Sequence, residues 1–366
     1  MFAFPVLRGR RLRDVILISH SLHNHMATCM RDVAQLASVS KATVSRVLNK
    51  ARYVDPETRQ RVLEAASQLN YYKNVHARRL VRGGSDLFGL VISEIANPFF
   101  PEVIRGFEAA ALEKGLEILL FNTEYGPERI ETAVRKMIEN RVRAAAVMTS
   151  MMDAAHVNEL ASHQIATVLL DQECPQRFVS CIQIDYAGGA SQAVDHLWEL
   201  GHRRFAFVAG PANIKSAQTF CRAVLEVLQR RRTPCEVLEG NHRVEGGSAA
   251  ARTLLEKPIV PTAVLCGNDL TAIGLMNALE GAGLRVPRDV SVVGFDDIYS
   301  AHLTRPALTT VRIPREGLGR LSFEILDKTL RSKRKRGAVY TCETSLVVRG
   351  SSGPVEQQGQ RPSRRR

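Results

Sequence analysis

The chain has 366 residues, of which 45% are hydrophobic, and its formal net charge is +13. This length exceeds one typical domain, so several domains are expected. No run approaches the roughly 18 consecutive apolar residues that a membrane span requires. The seven cysteines show no CxxC spacing, which favours buried thiols in a reducing cytoplasm over disulfides or a zinc site. We therefore expect a cytoplasmic protein without a metal or a cofactor.

Residues 1–28 show no capping signal and no apolar period, and a disordered extension is expected there. Apolar residues then recur at helical spacing on either side of an interruption at Ser38, Val39 and Ser40. The first apolar stripe comprises Val33, Leu36 and Ala37, and the second comprises Val44, Val47 and Leu48. The pattern predicts two short helices joined by a tight turn.

The second of these helices is expected to present a polar, basic face to solvent. Ser40 can cap it, because its hydroxyl can accept a backbone N–H that the first turn leaves without a partner. The face opposite the apolar stripe then carries Lys41, Ala42, Ser45 and Arg46.

A third helix is predicted after Asp55, which can cap it, with Pro56 in the first helical position. Its inward stripe comprises Val62, Ala66 and Leu69. Three small helices with one exposed basic helix form a helix-turn-helix, whose second helix has the diameter to enter a major groove. An ordinary three-helix bundle is the alternative. Residues 26–84 carry 11 Lys and Arg against 4 Asp and Glu, and this excess of +7 favours DNA binding.

The same region reads DVAxLAxVSxxTVSRVLN from Asp32, then VxxxTRxxV and LNY. With these motifs, residues 29–72 resemble the DNA-binding domain of the LacI/GalR family of bacterial transcription regulators, closest in pattern to its purine- and ribose-repressor branch. The resemblance implies a homodimeric repressor, associated with the nucleoid, that binds a palindromic operator. The implied DNA contacts on the second helix are Lys41, Ala42, Ser45 and Arg46.

Two further expectations for the amino terminus depend on this resemblance. Family members usually begin near Met26, which favours a start codon assigned upstream in error over a basic arm that adds phosphate contacts. Cys29 stands where the family places a threonine cap. Thr28 is therefore expected to cap the first helix one residue early.

Residues 73–84 form a basic segment in which Ala77, Leu80 and Val81 can share one face of a short helix. In the family this segment is a hinge helix, which folds when two subunits meet on the operator and opens the minor groove with an apolar wedge. By resemblance Leu80 is the wedge, and Ala77 and Arg78 are further DNA contacts. A plain basic linker is the alternative, since so short a helix is marginal by itself.

From Leu87 onward, short apolar runs alternate with amphipathic helices, the pattern of βαβ units around a mostly parallel sheet. One helix is expected at 101–114. The predicted strands are 87–92, 116–121, 144–148 and 166–171, followed by 205–210, 235–240, 262–267 and 290–297. Two similar α/β lobes are expected.

Phrases such as NPFFPEVIRGFE and HLWELGHRRFAFVAGP stand in the family's order and imply a two-lobed core like the periplasmic binding proteins. The core is expected at 85–350, with an N-lobe of about 85–185 and 314–340 and a C-lobe of about 186–313 and 341–350. Chain crossings near Asp185, Ile313 and Thr341 would then act as three hinge strands for closure on a ligand.

An effector cleft is expected between the lobes, because open α/β sheets bind ligands beyond the carboxyl ends of their strands. Carboxylates and amides can bind the hydroxyls of a sugar or purine-like ligand, and aromatic rings can cover its apolar face. Each of these residues could instead be a strand-end cap, a turn residue or core. The positions that the resemblance assigns to the effector are Asn97, Phe99, Phe100, Asp171, Phe220, His242, Asn268 and Asp296.

Phe220 stands where the family phrase SAxxR has an effector-binding arginine. A guanidinium there would bind hydroxyls or a carboxylate bidentately, so its replacement predicts a less acidic ligand, such as a sugar, a nucleoside or an aromatic compound. The alternative is a DNA-binding regulator with no small-molecule effector, in which Phe220 fills the cleft.

No GxGxxG turn follows the first strand, which excludes most nucleotide-dependent oxidoreductases, and no catalytic residue is expected. A solute receptor would explain two lobes but not a helix-turn-helix. The tail, 351–366, is polar and carries +3, so we expect it to be disordered. It lacks the leucine heptads of tetrameric family members, and a dimer is expected.

Overall fold

The computed structural model describes residues 28–49, 51, 53–71, 85–172 and 176–355. The chain divides into two compact units, 1–83 and 84–366. The extension at 1–27, the predicted hinge segment with Ala77, Arg78 and Leu80, and the end of the tail at 356–366 lie outside the described residues.

The first unit contains three helices, α1 (Met30–Leu36), α2 (Lys41–Leu48) and α3 (Pro56–Gln68). The predicted caps are confirmed, because Ser40 Oγ accepts the N–H of Thr43 at 3.1 Å and Asp55 Oδ2 accepts the N–H of Thr58 at 2.9 Å. Each side chain bonds a backbone donor that has no partner inside the helix. The buried core of the unit comprises Val33, Ala34, Ala37, Val44, Val47, Val62, Ala65 and Ala66.

Two local predictions for α1 are wrong. Leu36 is 48% exposed, and Ala34 is buried in its place. The two positions flank Val33 on opposite sides of the helix, and the other helices cover only the side with Ala34. Thr28 does not cap α1 and is not disordered, since its hydroxyl donates to the carbonyl of Leu69 at 3.3 Å. Cys29 is the N-cap, and its N–H donates to Asp32 at 2.7 Å, which keeps the pKa of that carboxyl below its usual value.

The second unit contains two six-stranded sheets. The first has the order β11-β5-β4-β3-β1-β2 and is parallel throughout. Its strands are β1 (Leu87–Ile92), β2 (Glu117–Asn122), β3 (Ala144–Met148), β4 (Ala166–Leu170), β5 (Val179–Ile184) and β11 (Val339–Cys342). Its helices are α4 (Phe99–Glu113), α5 (Pro127–Glu139), α6 (Ala154–Ser162) and α11 (Arg315–Arg331). Because helices cover both faces, β1, β3 and β4 are buried along their whole length.

The second sheet has the order β12-β10-β9-β8-β6-β7, and only β12 is antiparallel. Its strands are β6 (Phe205–Val208), β7 (Cys235–Leu238), β8 (Ala263–Cys266), β9 (Ser291–Asp296), β10 (Thr309–Arg312) and β12 (Ser345–Val347). Its helices are α7 (Tyr186–Glu199), α8 (Lys215–Arg230), α9 (Val244–Leu255), α10 (Asp269–Gly281) and a short 3₁₀ helix (Tyr299–His302).

The chain passes between the lobes three times, after β5, after β10 and after β11. The last crossing comes later than expected, because β11 pairs with β5 as far as Cys342 and residues 341–342 therefore belong to the first lobe. All three passages leave the carboxyl ends of strands. The carboxyl ends of both sheets therefore border the space between the lobes, where a ligand site is expected.

The prediction that the tail is disordered from 351 is wrong for residues 351–355. Ser351 is fully buried, and its hydroxyl accepts the N–H of Thr309 at 2.7 Å and donates to the carbonyl of Val292 at 2.6 Å. The N–H of Val355 donates to the carbonyl of Leu200 at 3.0 Å. These bonds to the second lobe hold a segment whose composition alone indicates disorder. Among the described residues, no helix has the length and apolar character needed to cross a bilayer.

Candidate functional site

The outer face of α2 has the properties expected of a DNA-contacting surface. Lys41, Ala42 and Arg46 are exposed and Ser45 is half-buried, while Val44 and Val47 on the opposite face are buried. Neither Lys41 nor Arg46 forms an ion pair with another described residue. Both cations are therefore free to bind phosphate or base edges. The sequence reasoning did not single out Tyr53, an aromatic residue that is 95% exposed beside the same helices.

The eight residues predicted for the effector site line one cavity of about 110 Å³ between the two lobes. The first lobe contributes residues that follow β1 and β4, and the second contributes residues that follow β7 and β8, the last residue of β9, and Phe220 of α8. The structure adds lining residues that the sequence reasoning missed, among them Ser93, Tyr125, Thr149, Tyr186, Ser216 and Phe295. No Lys or Arg occurs among the described residues that line this cavity.

Phe220 belongs to an aromatic cluster that forms one wall of the cavity. The side chain is only 3% exposed. Its ring centroid lies 4.2 Å from that of Phe295, 5.6 Å from that of Phe207 and 6.0 Å from that of Tyr186. This position offers a ring face to a ligand and no charge. Opposite, Phe99 and Phe100 meet edge to face at 5.2 Å.

Asp171 is held by two hydrogen bonds. Oδ1 accepts the N–H of Ile184 at 3.0 Å, and Oδ2 accepts the hydroxyl of Tyr186 at 2.7 Å. Burial raises the pKa of Asp171 to about 6, although both hydrogen bonds favour the charged form. Tyr186 thus joins the carboxyl group of one lobe to the first turn of α7 in the other. Its part in the site follows from a contact that sequence spacing does not reveal.

The side-chain amides of Asn97 and Asn268 form most of their hydrogen bonds within the protein. Asn97 Oδ1 accepts the N–H of Phe99 at 3.0 Å and shapes the turn before α4. Asn268 caps α10, with Oδ1 accepting the N–H of Thr271 at 3.0 Å, while its Nδ2 donates to the carbonyl of His242 at 2.9 Å. Asn268 therefore positions His242. The Nδ2 of Asn97 remains without a hydrogen bond to any described residue.

His242 has an unusual backbone and an unpartnered ring nitrogen. Its φ is +59°, and Nε2 is buried without a hydrogen-bond partner among the described residues. The ring lies over Gly210, where an added Cβ would come within 1.9 Å of Nε2, so this close approach requires glycine. Burial lowers the pKa of His242 to about 4, and the ring is neutral at physiological pH.

Of the two carboxyl groups in the cavity, that of Asp296 has the fewer hydrogen bonds to described residues. Its φ is +115°, and its carboxylate forms no hydrogen bond with a described residue. Burial, reinforced by the charge of Asp269, raises its pKa well above the usual range, while Arg315 opposes the shift. Asp269 is itself bonded to the N–H of Ile298 and the hydroxyl of Thr310, at 2.8 and 2.5 Å. A ligand that donates hydrogen bonds would supply what Asp296 lacks.

One ion pair and one hydrogen bond from a buried arginine connect the lobes around the cavity. At its mouth, Glu94 after β1 accepts from Arg243 before α9 at 2.7 Å, beside an open space of about 420 Å³. We name this pair the mouth clasp. At the opposite side, Arg315 is 6% exposed and pairs at 2.8 Å with Glu102 of its own lobe, and it also donates to the backbone carbonyl of Asp296 in the second lobe. The cavity therefore lies between two contacts that depend on the closure of the lobes.

A helix-turn-helix unit followed by a two-lobed α/β core with an interlobe cavity defines a ligand-responsive DNA-binding regulator. The comparisons agree. Residues 29–74 match the family of bacterial regulatory proteins called lacI, and residues 194–352 match the periplasmic binding protein-like domain.

Similar proteins cover nearly the whole chain. The HTH-type transcriptional repressor PurR of Haemophilus influenzae (strain PittEE) is 32% identical over 332 residues, which are 89% of this chain and 98% of that protein. A lac repressor dimer bound to operator and the anti-inducer ONPF matches with a TM-score of 0.80 at 30% identity, covering 89% and 99% of the two chains. The CelR–cellobiose complex matches with a TM-score of 0.67, also at 30% identity, covering 89% and 100%.

The chain belongs to the lacI family of bacterial regulatory proteins. It is a DNA-binding transcriptional repressor with an effector-binding core, and it is not an enzyme.

Proposed function

We propose that two copies of this chain bind a palindromic operator and that a small neutral ligand in the interlobe cavity controls the affinity for that operator. The relative from Haemophilus influenzae is a repressor, and the similar lac repressor structure is a dimer on its operator. DNA is the target, so we infer a place in the cytoplasm, at the nucleoid. The domains proposed for this function are 29–72 for DNA binding, 73–84 as the hinge and 85–355 as the effector-binding core.

For the DNA-binding unit we propose that Arg46 and Lys41 read base edges, while Ser45 and the basic residues of the hinge position the DNA backbone and Ala42 is a further contact. Their exposure on one face of α2 and the absence of ion pairs to described residues support these roles. In the hinge we propose that Leu80 is the minor-groove wedge and that Ala77 and Arg78 are further DNA contacts. Leu80→Ala is expected to leave ligand binding unchanged and to reduce DNA bending in a gel assay with permuted sites. An unchanged bend angle would favour a plain linker.

For the cavity, the observation that supports a neutral ligand is the set of charged groups in the cavity lining. Two carboxyl groups, Asp171 and Asp296, face a lining without Lys or Arg among the described residues. An anion would be desolvated there without a counter-charge, whereas hydroxyl or amino groups can donate to Asp296. The rings of Phe220 and Phe295 provide a surface on which a sugar or base can stack. The similar CelR structure contains cellobiose, a neutral sugar.

A thermal-shift screen tests the ligand class directly. Neutral sugars, nucleosides and purine bases are compared with sugar acids and sugar phosphates. A ligand at 100 times its dissociation constant stabilises the folded protein by about 2.7 kcal/mol. Stabilisation by neutral compounds, lost in Asp296→Asn, is the expected result. Stabilisation by anions alone, tightened by Phe220→Arg, would contradict the assignment. Operator binding measured with and without the compound then shows whether it releases or recruits DNA.

A regulator without an effector is the second candidate, and one observation favours it. The hydrogen-bonding atoms of Asp171 and Asn268 are already bonded inside the protein, and the cavity is small. Under this alternative no compound of the screen stabilises the protein, while the purified chain still retains specific fragments of genomic DNA. Sequencing those fragments tests the DNA-binding proposal independently of the cavity.

A further inference from the structure

The strand direction in the first lobe places a set of loops at one edge of the sheet. All six strands are parallel, so their amino-terminal ends lie together, on the side away from the cavity. We call this the outer edge of the first lobe. It comprises the segments directly before the strands, namely 85–86, 114–116, 140–143, 163–165, 176–178 and 332–338.

Exposed cations are concentrated on the outer edge of the first lobe. Six of these cations form no ion pair with another described residue. They are Arg141, Arg143, Arg177, Lys333, Arg334 and Arg336, and all six are exposed. The acidic residues on the adjoining helix ends are engaged elsewhere, since Glu139 pairs with Lys136 at 2.9 Å and Asp327 with Arg331 at 3.0 Å. Unpaired charges of one sign on one surface create a positive potential that attracts polyanions.

The corresponding edge of the second lobe is also rich in basic residues, and several of them have partners, although Arg204 and Arg232 are exposed and form no ion pair with a described residue. Arg231 pairs with Asp195, and Lys257 pairs with Glu236 at 2.6 Å. The guanidinium of Arg203 lies 3.6 Å from the ring centroid of Trp198. The unpaired positive charge is thus larger on the edge of the first lobe than on that of the second, and it is not a property of the whole core, whose residues 85–350 balance to zero.

The connectivity of the chain indicates that the polyanion is duplex DNA. The segment that joins the DNA-binding unit to the core enters at this same edge, because Ser85 and Asp86 directly precede β1. Only 13 residues, 72–84, join Tyr71 of the DNA-binding unit to Ser85, so the connection is a short tether. When the DNA-binding unit holds an operator, this tether keeps duplex DNA at high local concentration near the cations.

We propose that the outer edge of the first lobe binds phosphates of duplex DNA that flanks the operator. The contact is electrostatic and independent of sequence. It adds to affinity through release of counterions, and each phosphate that is neutralised steepens the dependence of binding on salt. The segment 332–338 contributes three of these six cations, with Arg334 and Arg336 near its centre.

The test measures operator affinity by fluorescence anisotropy over a series of KCl concentrations. The DNA is a duplex that the protein itself selects from a random-sequence library, either with long flanks or trimmed to the protected segment. The test variant is the double substitution Arg334→Gln and Arg336→Gln in the full-length chain. The matched control is Arg204→Gln with Arg222→Gln, which removes two exposed charges without ion pairs to described residues from the second lobe.

On DNA with long flanks, the slope of log K against log[KCl] is expected to become shallower in the test variant by about 0.9 for each lost phosphate contact. The control is expected to keep the wild-type slope, and on trimmed DNA all three proteins are expected to agree. A wild-type slope in the test variant on flanked DNA would overturn the proposal. So would an equal change on both DNAs, because it would place the contact inside the operator. Failure of the DNA-binding proposal itself would be distinct, since no duplex would then be selected.

Discussion

The outer face of α2 and the interlobe cavity differ in what their polar side chains already bind. On α2, Lys41 and Arg46 are exposed and have no ion-pair partner among the described residues. In the cavity, the half-buried Asp171 and the buried Asn268 are bonded to neighbours, while the carboxyl group of Asp296 and Nε2 of His242 have no partner among the described residues. Substitutions on α2 should therefore alter binding without altering stability, whereas substitutions in the cavity should alter both.

The largest effect is expected from Phe220→Ala. This buried ring contacts the rings of Phe207, Phe295 and Tyr186, and truncation of such a side chain costs about 3–5 kcal/mol of unfolding free energy. Urea denaturation measures the loss. Arg222→Ala, an exposed position on the same helix, is the control and should stay within about 0.5 kcal/mol of wild type. A loss of under about 1 kcal/mol would show that the cluster contributes little to stability.

Asp171→Asn is expected to change how stability depends on pH. The folded chain raises the pKa of Asp171 from 3.8 to about 6, so between these values it binds more protons than the unfolded chain. Stability conferred by this group is therefore lost as the pH rises from about 4 to about 6. A shift of this size corresponds to about 3 kcal/mol.

Unfolding curves of the wild type and the Asp171→Asn variant at several pH values measure this contribution. The free-energy difference between the two proteins should change in favour of the variant as the pH rises to 7. Glu108→Gln, an exposed carboxyl on α4, provides the control and should follow the wild type. A free-energy difference that is constant from pH 4 to pH 7 would show that burial does not raise the pKa of Asp171.

Arg46→Ala tests the outer face of α2. Loss of a side chain that reads a base edge should cost about 1–3 kcal/mol on the selected operator and relax preference at one or two base pairs. The unfolding free energy should not change, because Arg46 has no partner inside its unit among the described residues. Anisotropy with single-base operator variants measures both effects. Equal weakening on every sequence would instead identify Arg46 as a phosphate contact.

The smallest effect is expected at the mouth clasp. Glu94 and Arg243 are partly exposed, and such pairs contribute about 0–1 kcal/mol. A double-mutant cycle with Glu94→Gln and Arg243→Gln measures their coupling, which should decrease at high salt. The reversed pair, Glu94→Arg with Arg243→Glu, should restore it. Absence of any coupling at low salt would mean that the pair does not hold the lobes together in solution.

Local signals in the sequence were sufficient for α2 and α3 of the DNA-binding unit, but not for the cap and the buried face of α1. The caps Ser40 and Asp55 bond donors three residues away, and the apolar periods of α2 and α3 are those of short helices. The buried strands β1, β3 and β4 were predicted for the same reason, since each is a continuous apolar run. Family resemblance supplied the eight cavity residues, and the structure brings all of them to one cavity.

Contacts between distant parts of the chain decided the rest. The strands β5, β10, β11 and β12 carry mixed or short patterns and acquire their place only by pairing, as β11 does with β5. Ser351 becomes buried because Thr309 and Val292 lie beside it. The hydroxyl bond of Tyr186 to Asp171 and the clasp of Glu94 with Arg243 depend on the approach of two lobes. Such bonds form between groups that sequence spacing does not relate, so only the tertiary structure could determine which polar groups remain available to a ligand.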